Sequence, residues 1–154
     1  MVGELSDLED RVTGEDTSPF LRIVEGEGIG KRLIAARFIS KGTNICCFSG
    51  PVEATPSEHT VCFGEGKHVQ PILGTKYTEH TCGLGNLQLK VKEDESAASF
   101  VIARDVMEGE SITFNYCTTE WEMGAPFLCG CDECKKNHFS RPVQGCKFLP
   151  LEER

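Results

Sequence analysis

The chain lacks several features that define whole classes of proteins. No apolar run approaches the roughly 18 residues that a membrane-spanning helix needs. Residues 1–16 are rich in Glu and Asp, so they resemble neither the apolar core of a signal peptide nor a basic transit peptide. These absences predict an intracellular protein, in the nucleus or the cytoplasm, without membrane association.

Positive charge is also scarce. Lys and Arg number 16 against 24 Asp and Glu, which gives a formal net charge of −8. Proteins that bind a nucleic-acid backbone need an excess of Lys and Arg. The balance therefore argues against direct nucleic-acid binding, including binding by a zinc ribbon. The negative charge is weakly in favour of a basic peptide substrate, because many proteins are acidic for solubility alone and that is the commoner explanation.

Cysteine, in contrast, is abundant. The chain has nine cysteines, an odd number without a secretion signal, which favours free thiols or metal ligands over a disulfide framework. Five of them lie scattered in apolar or mixed stretches, where packing in the core is the default role. These five are Cys46, Cys47, Cys62, Cys117 and Cys146. Three others, Cys129, Cys131 and Cys134, fall within six residues, a density that core packing does not require.

The segment CGCDEC at residues 129–134 predicts a zinc site. Three thiolates in this spacing can face one tetrahedral ion, with Zn–S distances near ~2.3 Å. A structural zinc needs a fourth ligand, and His138 is the nearest downstream candidate by spacing. The other candidates are Cys82, Cys117 and Cys146. The alternative is a loop of free thiols, which would be prone to oxidation.

Short apolar runs separated by turn residues predict a mostly β domain. The 154 residues suit a single domain. Runs of strand length occur at 21–24, 33–39, 45–48, 60–63, 68–73, 87–91, 99–103 and 111–114. Residues 118–123 form the one stretch with room for a short helix, and the polar residues 1–18 are expected to be a flexible arm.

Three further segments are candidates for chemistry. The sequence GEGIG at residues 26–30 could bring backbone close to a ligand, or could be a plain hairpin turn. HTCGLGN at residues 80–86 places a His near a Cys in a glycine-rich loop, where His80 could simply be hydrogen-bonded. ESITFNY at residues 110–116 ends in Tyr116, which could equally be a half-buried aromatic at a strand end.

These segments, in this order, resemble the SET domain with its post-SET zinc segment, over residues 23–149. GIG at residues 28–30, the apolar run 33–39 and the Lys41-Gly42 turn look like the family's opening. EHTC at residues 79–82 stands where the family has Asn-His-Ser-Cys, and residues 110–116 are similar to its E-x-x-F-[DN]-Y strand. The tail, from TTEWEM through PF and the cysteines to GCKFL, is similar to that of small microbial and fungal SET proteins.

The resemblance implies a fold and a division of the chain. The fold is a β-clip of short sheets with a C-terminal, zinc-binding post-SET cap. The expected regions are a flexible arm at 1–18, the SET domain at 19–117 and the post-SET cap at 118–154. The resemblance also chooses Cys82 as the fourth zinc ligand, beside Cys129, Cys131 and Cys134.

The implied function is protein-lysine N-methyltransfer from S-adenosylmethionine. Tyr116 would be catalytic and would orient the amine through its hydroxyl, with Tyr77 a weaker candidate for the lysine channel. The residues implied for cofactor binding are Gly28, Ile29, Gly30, Lys31, Arg32, Glu79, His80, Trp121 and Phe127. The reacting amine must be neutral, yet a lysine of pKa about 10.4 is neutral in only about one molecule in two thousand at pH 7. An apolar channel and a nearby sulfonium favour the neutral form.

The expected partner is a protein or peptide substrate, with a basic histone tail as one candidate, and the chain is expected to be a monomer. The chain departs from the family pattern at two places. Glu79 replaces the Asn before His80, and Leu84-Gly85-Asn86, with one extra residue in the spacing, replaces the Pro-Asn expected soon after Cys82. A carboxylate offers acceptors to the cofactor's ammonium but no amide donor. The alternative function is therefore a catalytically silent, SET-like module, stabilised by zinc, that binds a protein partner.

Overall fold

The computed structural model describes residues 11–14, 16–26, 30–48, 61–64, 67–69, 72–92, 97–123 and 125–153. Gly28 and Ile29, two of the expected cofactor-binding residues, lie outside this set, as does most of the expected N-terminal arm. No helix in these ranges is long and apolar enough to cross a membrane.

Short strands dominate the described residues, which confirms the predicted mostly β fold. The strands are β1 (Arg11–Val12), β2 (Leu21–Gly26), β3 (Gly30–Ala35), β4 (Asn44–Phe48), β5 (Val61–Gly64), β6 (Lys67–Val69), β7 (Glu79–His80), β8 (Leu87–Val91), β9 (Ala98–Ile102), β10 (Thr113–Phe114), β11 (Phe127–Leu128) and β12 (Pro142–Val143). The helix α1 spans Asp132–Lys136, and 3₁₀ turns span Thr75–Tyr77, Tyr116–Thr118, Cys146–Phe148 and Leu151–Glu153.

The strands form several small sheets. Two of these have three strands, in the orders β1-β2-β3 and β4-β9-β8. The other sheets in the described residues are pairs: β5 with β6, β7 with β10, and β11 with β12. The β1 pairing to β2 falls within the segment expected to be an arm, and the three-region division of the chain stays a prediction.

The core lies where the two larger sheets meet. Buried and partly buried positions alternate along β9, as expected for a strand with one face on a core. Phe100, Leu33, Ile39, Ile102, Ile112 and Val106 are among the largest fully buried side chains. This core is continuous with Phe114, at 7% exposure, and partly buried Tyr116 packs against it.

Two predicted elements differ from the structure. The strand expected at 33–39 ends at Ala35, because the chain leaves β2 there, and Ile39 instead forms an isolated bridge with Val106. The prediction of a helix at 118–123 is wrong. In a helix the Met123 amide would donate to the Thr119 carbonyl, but it donates instead to the Gln144 carbonyl at 2.8 Å. The backbone of this segment pairs further with the tail, since the oxygens of Glu120 and Trp121 accept from the amides of residues 146 and 147 at 2.9 Å each.

The helix α1 was not predicted. It begins directly after Cys131, inside the cysteine-rich segment, and is only five residues long. Its first turn carries Asp132 and Glu133 and its last turn carries Lys135 and Lys136, the charge order that the helix dipole favours. Such a short helix has too little apolar periodicity to be seen in a sequence.

The site depends on a parallel pairing between β7 and β10, in which Glu79 lies opposite Thr113 and His80 opposite Phe114. The loop after β7 crosses close to β10. A Cβ added to Gly85 would lie 2.3 Å from the Thr113 carbonyl oxygen, so only glycine fits without movement. Asn86, fully buried, donates to the Ser111 carbonyl at 2.8 Å and accepts from the Thr113 amide at 2.9 Å. The loop is thereby fixed to the strand that leads to Tyr116.

Candidate functional site

Four cysteine sulfurs meet at one point. The sulfurs of Cys82, Cys129, Cys131 and Cys134 all lie within 4.8 Å of one another. Cys82 comes from the loop after β7, and its sulfur is 3.7 Å from that of Cys134 in α1. Cys129 follows β11, and its sulfur accepts a hydrogen bond from the Cys131 amide at 3.3 Å. The cluster therefore connects the C-terminal segment to the centre of the domain.

The environment of these thiols suits a metal ion. Burial, followed by hydrogen bonds to Cys129 and Cys134, raises the pKa of Cys82 well above its usual range, so this sulfur needs a nearby cation to become a thiolate ligand. Burial also acts on Cys131, but backbone hydrogen bonds at Cys82 and Cys134 outweigh it and lower its pKa to about 6. Four sulfur donors in a compact group, with Cys129 and Cys134 buried and the other two partly buried, match the tetrahedral sulfur sites that zinc prefers. This donor set could hold zinc.

The structure distinguishes between the four residues that could provide a fourth zinc ligand. Spacing alone favoured His138, whereas the resemblance favoured Cys82, and Cys82 is the residue in the group. His138, Cys117 and Cys146 are not part of it. His138 has a positive φ of 53°, and its amide donates a hydrogen bond to the Lys135 carbonyl. It therefore belongs to the turn that terminates α1.

Aromatic rings surround Tyr116 next to the cysteine cluster. The ring centroids of Phe114, His80 and Phe127 lie 4.9, 5.1 and 6.0 Å from that of Tyr116. His80 and Phe127 also meet edge to face at 5.8 Å. Such packing holds the Tyr116 ring in one position and keeps water away from much of it.

The polar atoms of this aromatic cluster are also fixed. The Tyr116 hydroxyl donates a hydrogen bond to the carbonyl oxygen of buried Thr78. Burial, with a smaller contribution from the negative charge of Glu79, raises the pKa of Tyr116 to about 12. The hydroxyl therefore keeps its proton at neutral pH, and that proton is directed at Thr78.

His80 joins the aromatic cluster to the cysteines. Its Nδ1 accepts from the Tyr116 amide at 3.1 Å, so the ring proton resides on Nε2, which lies 3.5 Å from the Cys82 sulfur. Burial lowers the pKa of His80 to about 4, so the ring is neutral at pH 7. An imidazole N–H directed at a sulfur ligand is a typical partner around a metal site.

The expected cofactor-binding residues are distributed over several elements. Glu79, half-buried, precedes His80 on β7. Gly30 and Lys31 begin β3 and are exposed, while Arg32 donates to the Ser111 hydroxyl at 2.8 Å. The Lys31 ammonium lies 5.5 Å from the ring of Tyr77.

Phe127 lies in the aromatic cluster, while Trp121 is 58% exposed. The structure brings Phe127, Glu79 and His80 close to Tyr116. The roles of these side chains in cofactor binding stay predictions.

A cavity of about 720 Å³ adjoins the turn that carries Tyr116. Residues on both sides of Tyr116, Asn115 and Thr118, line it together with the glycine-rich loop 83–85 and Cys62. Neither this cavity nor the role of Thr78 is predictable from the sequence, because a loop-lined space and a backbone carbonyl have no sequence pattern. Only the position of Thr78, directly before the 79–82 motif, could have indicated it.

Comparisons with known proteins agree with this architecture. No protein-family model matches the chain, and no curated protein sequence is similar to it. Solved structures do match, among them the crystal structure of CpSET8 from Cryptosporidium, at 17% identity and a TM-score of 0.50. The fold is SET-like. The match covers 62% of this chain and 56% of CpSET8, so the similarity spans little more than half the length of that protein.

Proposed function

We propose that the protein is an S-adenosylmethionine-dependent protein-lysine N-methyltransferase whose post-SET segment binds one zinc ion. The observation that supports it best is the Tyr116 hydroxyl on a SET-like fold. Because this hydroxyl donates its proton to the Thr78 carbonyl, its oxygen lone pairs are free to accept an N–H from an incoming amine. An amine held in this way has its own lone pair oriented for attack.

The surrounding residues would favour the reactive form of that amine. The rings of His80, Phe114 and Phe127 around Tyr116 would give an apolar environment, which disfavours the ammonium and so lowers the pKa of a bound lysine. Tyr116, with a pKa of about 12, is not a base, so the ammonium proton leaves to solvent before transfer. Alignment of the amine is then the main contribution of the protein.

The residues expected to hold S-adenosylmethionine are Glu79, His80, Phe127, Trp121 and residues 28–32. When bound, this cofactor supplies an electrophilic methyl group on a positively charged sulfur. The half-buried Glu79 carboxylate can accept hydrogen bonds from an ammonium group, as the amino-acid end of the cofactor presents. His80 would contribute chiefly through its β7 backbone, since both ring nitrogens are engaged within the protein.

Zinc would give the C-terminal segment its order. Phe127 precedes Cys129 by two residues, so metal binding at the cysteines also places the Phe127 ring against His80 and Tyr116. Zinc sites of this type contribute roughly 10–16 kcal/mol of apparent binding free energy. Loss of the metal should therefore disrupt the aromatic cluster as well as the tail.

The proposed substrate is a lysine in a protein or peptide, with a basic histone tail as one candidate for an acidic protein. The 720 Å³ cavity beside Asn115 and Thr118 is of a size that holds ligand groups. The test is transfer of radiolabelled methyl from S-adenosylmethionine to a panel of lysine-containing proteins, histones included. Label in lysine that disappears with Tyr116→Phe supports the proposal.

A second function has one observation in its favour. Glu79 stands where the resembled family has Asn and lacks the amide donor of that residue. A protein that binds no S-adenosylmethionine but keeps its zinc and its fold would be a SET-like binding module. In that case Glu79→Asn should restore cofactor binding, which a calorimetric titration of the variant would detect.

A further inference from the structure

The strand β8 is an edge of the sheet β4-β9-β8, and no strand among the described residues pairs with its outer side. Its inner side is bonded to β9. Just before β8, the Ala103 amide donates to the Asn86 carbonyl at 2.8 Å. Just after β8, the Lys92 amide donates to the Ala97 carbonyl at 2.9 Å.

These two bonds fix the direction of the backbone groups of β8. Along one strand of an antiparallel pair, alternate residues exchange hydrogen bonds with the partner strand, and the residues between them do not. Since residues 86 and 92 bond to the β9 side, the even-numbered residues between them do so too. Leu87, Leu89 and Val91 therefore direct their N–H and C=O groups to the outer edge. None of the three makes a hydrogen bond there within the part of the chain that the structure describes.

The 720 Å³ cavity lies along this outer edge. Leu87, Leu89 and Val91 line it, and so does Gln88. Successive side chains of a strand point to opposite faces of the sheet, so a space that contacts residues of both kinds lies beside the strand rather than over one face. Its volume is typical of cavities that hold ligands. An unpaired strand edge thus borders a space of useful size.

The side chains at this edge are aliphatic and partly open to solvent. Leu84, in the loop before β8, is 99% exposed and also lines the cavity. Val91, at the end of β8, is 39% exposed. Unpaired strand edges bind extended peptides, with main-chain hydrogen bonds giving affinity and contacts to alternate side chains giving specificity. The edge of β8 has both features.

Charge distinguishes between possible occupants of the edge. Lys90 is exposed on the face of β8 opposite to Leu89, and it makes no ion pair with a described residue. Arg104 also lines the cavity, but its guanidinium is paired with Glu110 at 2.6 Å. A second copy of β8 would bring two Lys90 side chains onto one face of a continuous sheet, which is unfavourable. An acidic side chain beside Lys90 is favourable.

From this arrangement we propose that the outer edge of β8 is a docking site for an extended segment of a partner protein, which adds to the sheet as a fourth strand. The segment carries aliphatic side chains at alternate positions, on the face of Leu87, Leu89 and Val91, and an acidic side chain beside Lys90. This inference concerns binding at β8 and does not rest on methyl transfer.

The probe is a synthetic peptide with blocked ends and the sequence TVEVEVT, titrated to millimolar concentration into the full-length, zinc-loaded, isotope-labelled protein. We expect saturable shifts of the Leu87, Leu89 and Val91 amide signals in NMR spectra. Hydrogen exchange at these amides should become slower, because the added strand accepts their hydrogen bonds. The same peptide with its interior amides N-methylated cannot complete the ladder and should bind at least about tenfold more weakly.

Variants at two exposed positions test the charge and the edge. Lys90→Glu should weaken binding of TVEVEVT about threefold to tenfold and strengthen binding of TVKVKVT, because the cross-strand charge pair is reversed. Val91→Pro removes one outward N–H while leaving the bonds to β9, a change that edge strands tolerate, and should weaken binding about tenfold. Val91→Thr keeps that N–H and is the matched control, with affinity close to that of the parent protein.

Three results would overturn the proposal. One is the absence of amide shifts at residues 87–91 at millimolar peptide, and another is equal binding of the N-methylated peptide. The third is a concentration-dependent dimer in which the same amides are protected without peptide, because a second copy of the chain would then occupy the edge. The titration measures neither cofactor binding nor methyl transfer, so its failure is distinguishable from failure of the proposed function.

Discussion

Replacing Tyr116 by Phe removes one atom from the centre of the proposed site. The hydroxyl makes a hydrogen bond to the carbonyl of Thr78, a residue that is 3% exposed. Its loss leaves a buried carbonyl without that partner, a change that costs about 1–3 kcal/mol. For a chain of this length, each kcal/mol lowers Tm by roughly 2–4 °C. The variant should therefore stay folded but unfold at a lower temperature.

The expected effect on methyl transfer is much larger than this. The phenyl ring retains its contacts with Phe114, His80 and Phe127, so cofactor affinity should not change. The lysine amine, however, loses the acceptor that orients it, and removal of one such positioned polar group typically lowers the rate about 10²–10³-fold. The loss should appear in kcat, because the interaction is needed most in the transition state.

The assay combines thermal unfolding, calorimetry with S-adenosylmethionine and methyl transfer to a lysine substrate identified with the parent protein. Tyr77→Phe is the matched control, since Tyr77 is the other tyrosine of the chain. Its ring centroid lies 5.5 Å from the Lys31 ammonium and 5.0 Å from that of Lys76. Unchanged turnover in Tyr116→Phe, or a larger rate loss in Tyr77→Phe, would refute the role assigned to Tyr116. Complete unfolding of Tyr116→Phe would show that the hydroxyl is chiefly structural.

Three further predictions concern the metal, the loop and pH. Cys82→Ser should abolish tight binding of one zinc per chain, measured by elemental analysis, while His138→Ala should retain it; the opposite result would reassign the fourth ligand. Gly85→Ala, whose Cβ meets backbone at 2.3 Å, should destabilise the protein by about 1–3 kcal/mol or more in urea unfolding. Gly83→Ala, where an added Cβ would have no atom within 4 Å, should lower the free energy of unfolding far less. Equal losses of stability in the two variants would contradict the close approach of the loop after β7 to β10. Because the pKa of Tyr116 is raised to about 12 in the folded protein, its contribution is complete below about pH 10, the value for an unfolded tyrosine, and should be lost between pH 10 and 12. In Tyr116→Phe the free energy of unfolding should lack this part of its decline above pH 10. Identical plots of unfolding free energy against pH for the variant and the parent protein would contradict the raised pKa.

Sequence patterns are sufficient to predict the strands in which apolar residues alternate with polar ones or form a short run. The runs at 45–48 and 87–91 correspond closely to β4 and β8, because side-chain burial on a sheet is a local, periodic property. The tail was harder to predict. Residues 118–123 have a composition that suits a helix, but their backbone is paired with residues 144–147, a contact more than twenty residues away in sequence.

The candidate site shows the same division. The spacing of the three cysteines at 129–134 is sufficient to predict a metal site. The fourth sulfur of the group belongs to Cys82, in a distant loop, and spacing alone favours His138 instead. The resemblance supplied the choice of Cys82. The Thr78 carbonyl and the buried Asn86 bridge could not be predicted, because they depend on the parallel pairing of β7 with β10.

The central claim is that this chain binds S-adenosylmethionine at the site beside Tyr116, and calorimetric titration of the full-length, zinc-loaded protein with that cofactor tests it most directly. We expect saturable heat with one site per chain and a rise in Tm, because a ligand that binds only the folded state stabilises it. Absence of both heat and a Tm shift at millimolar cofactor would contradict the methyltransferase assignment and leave the zinc-stabilised binding module as the function.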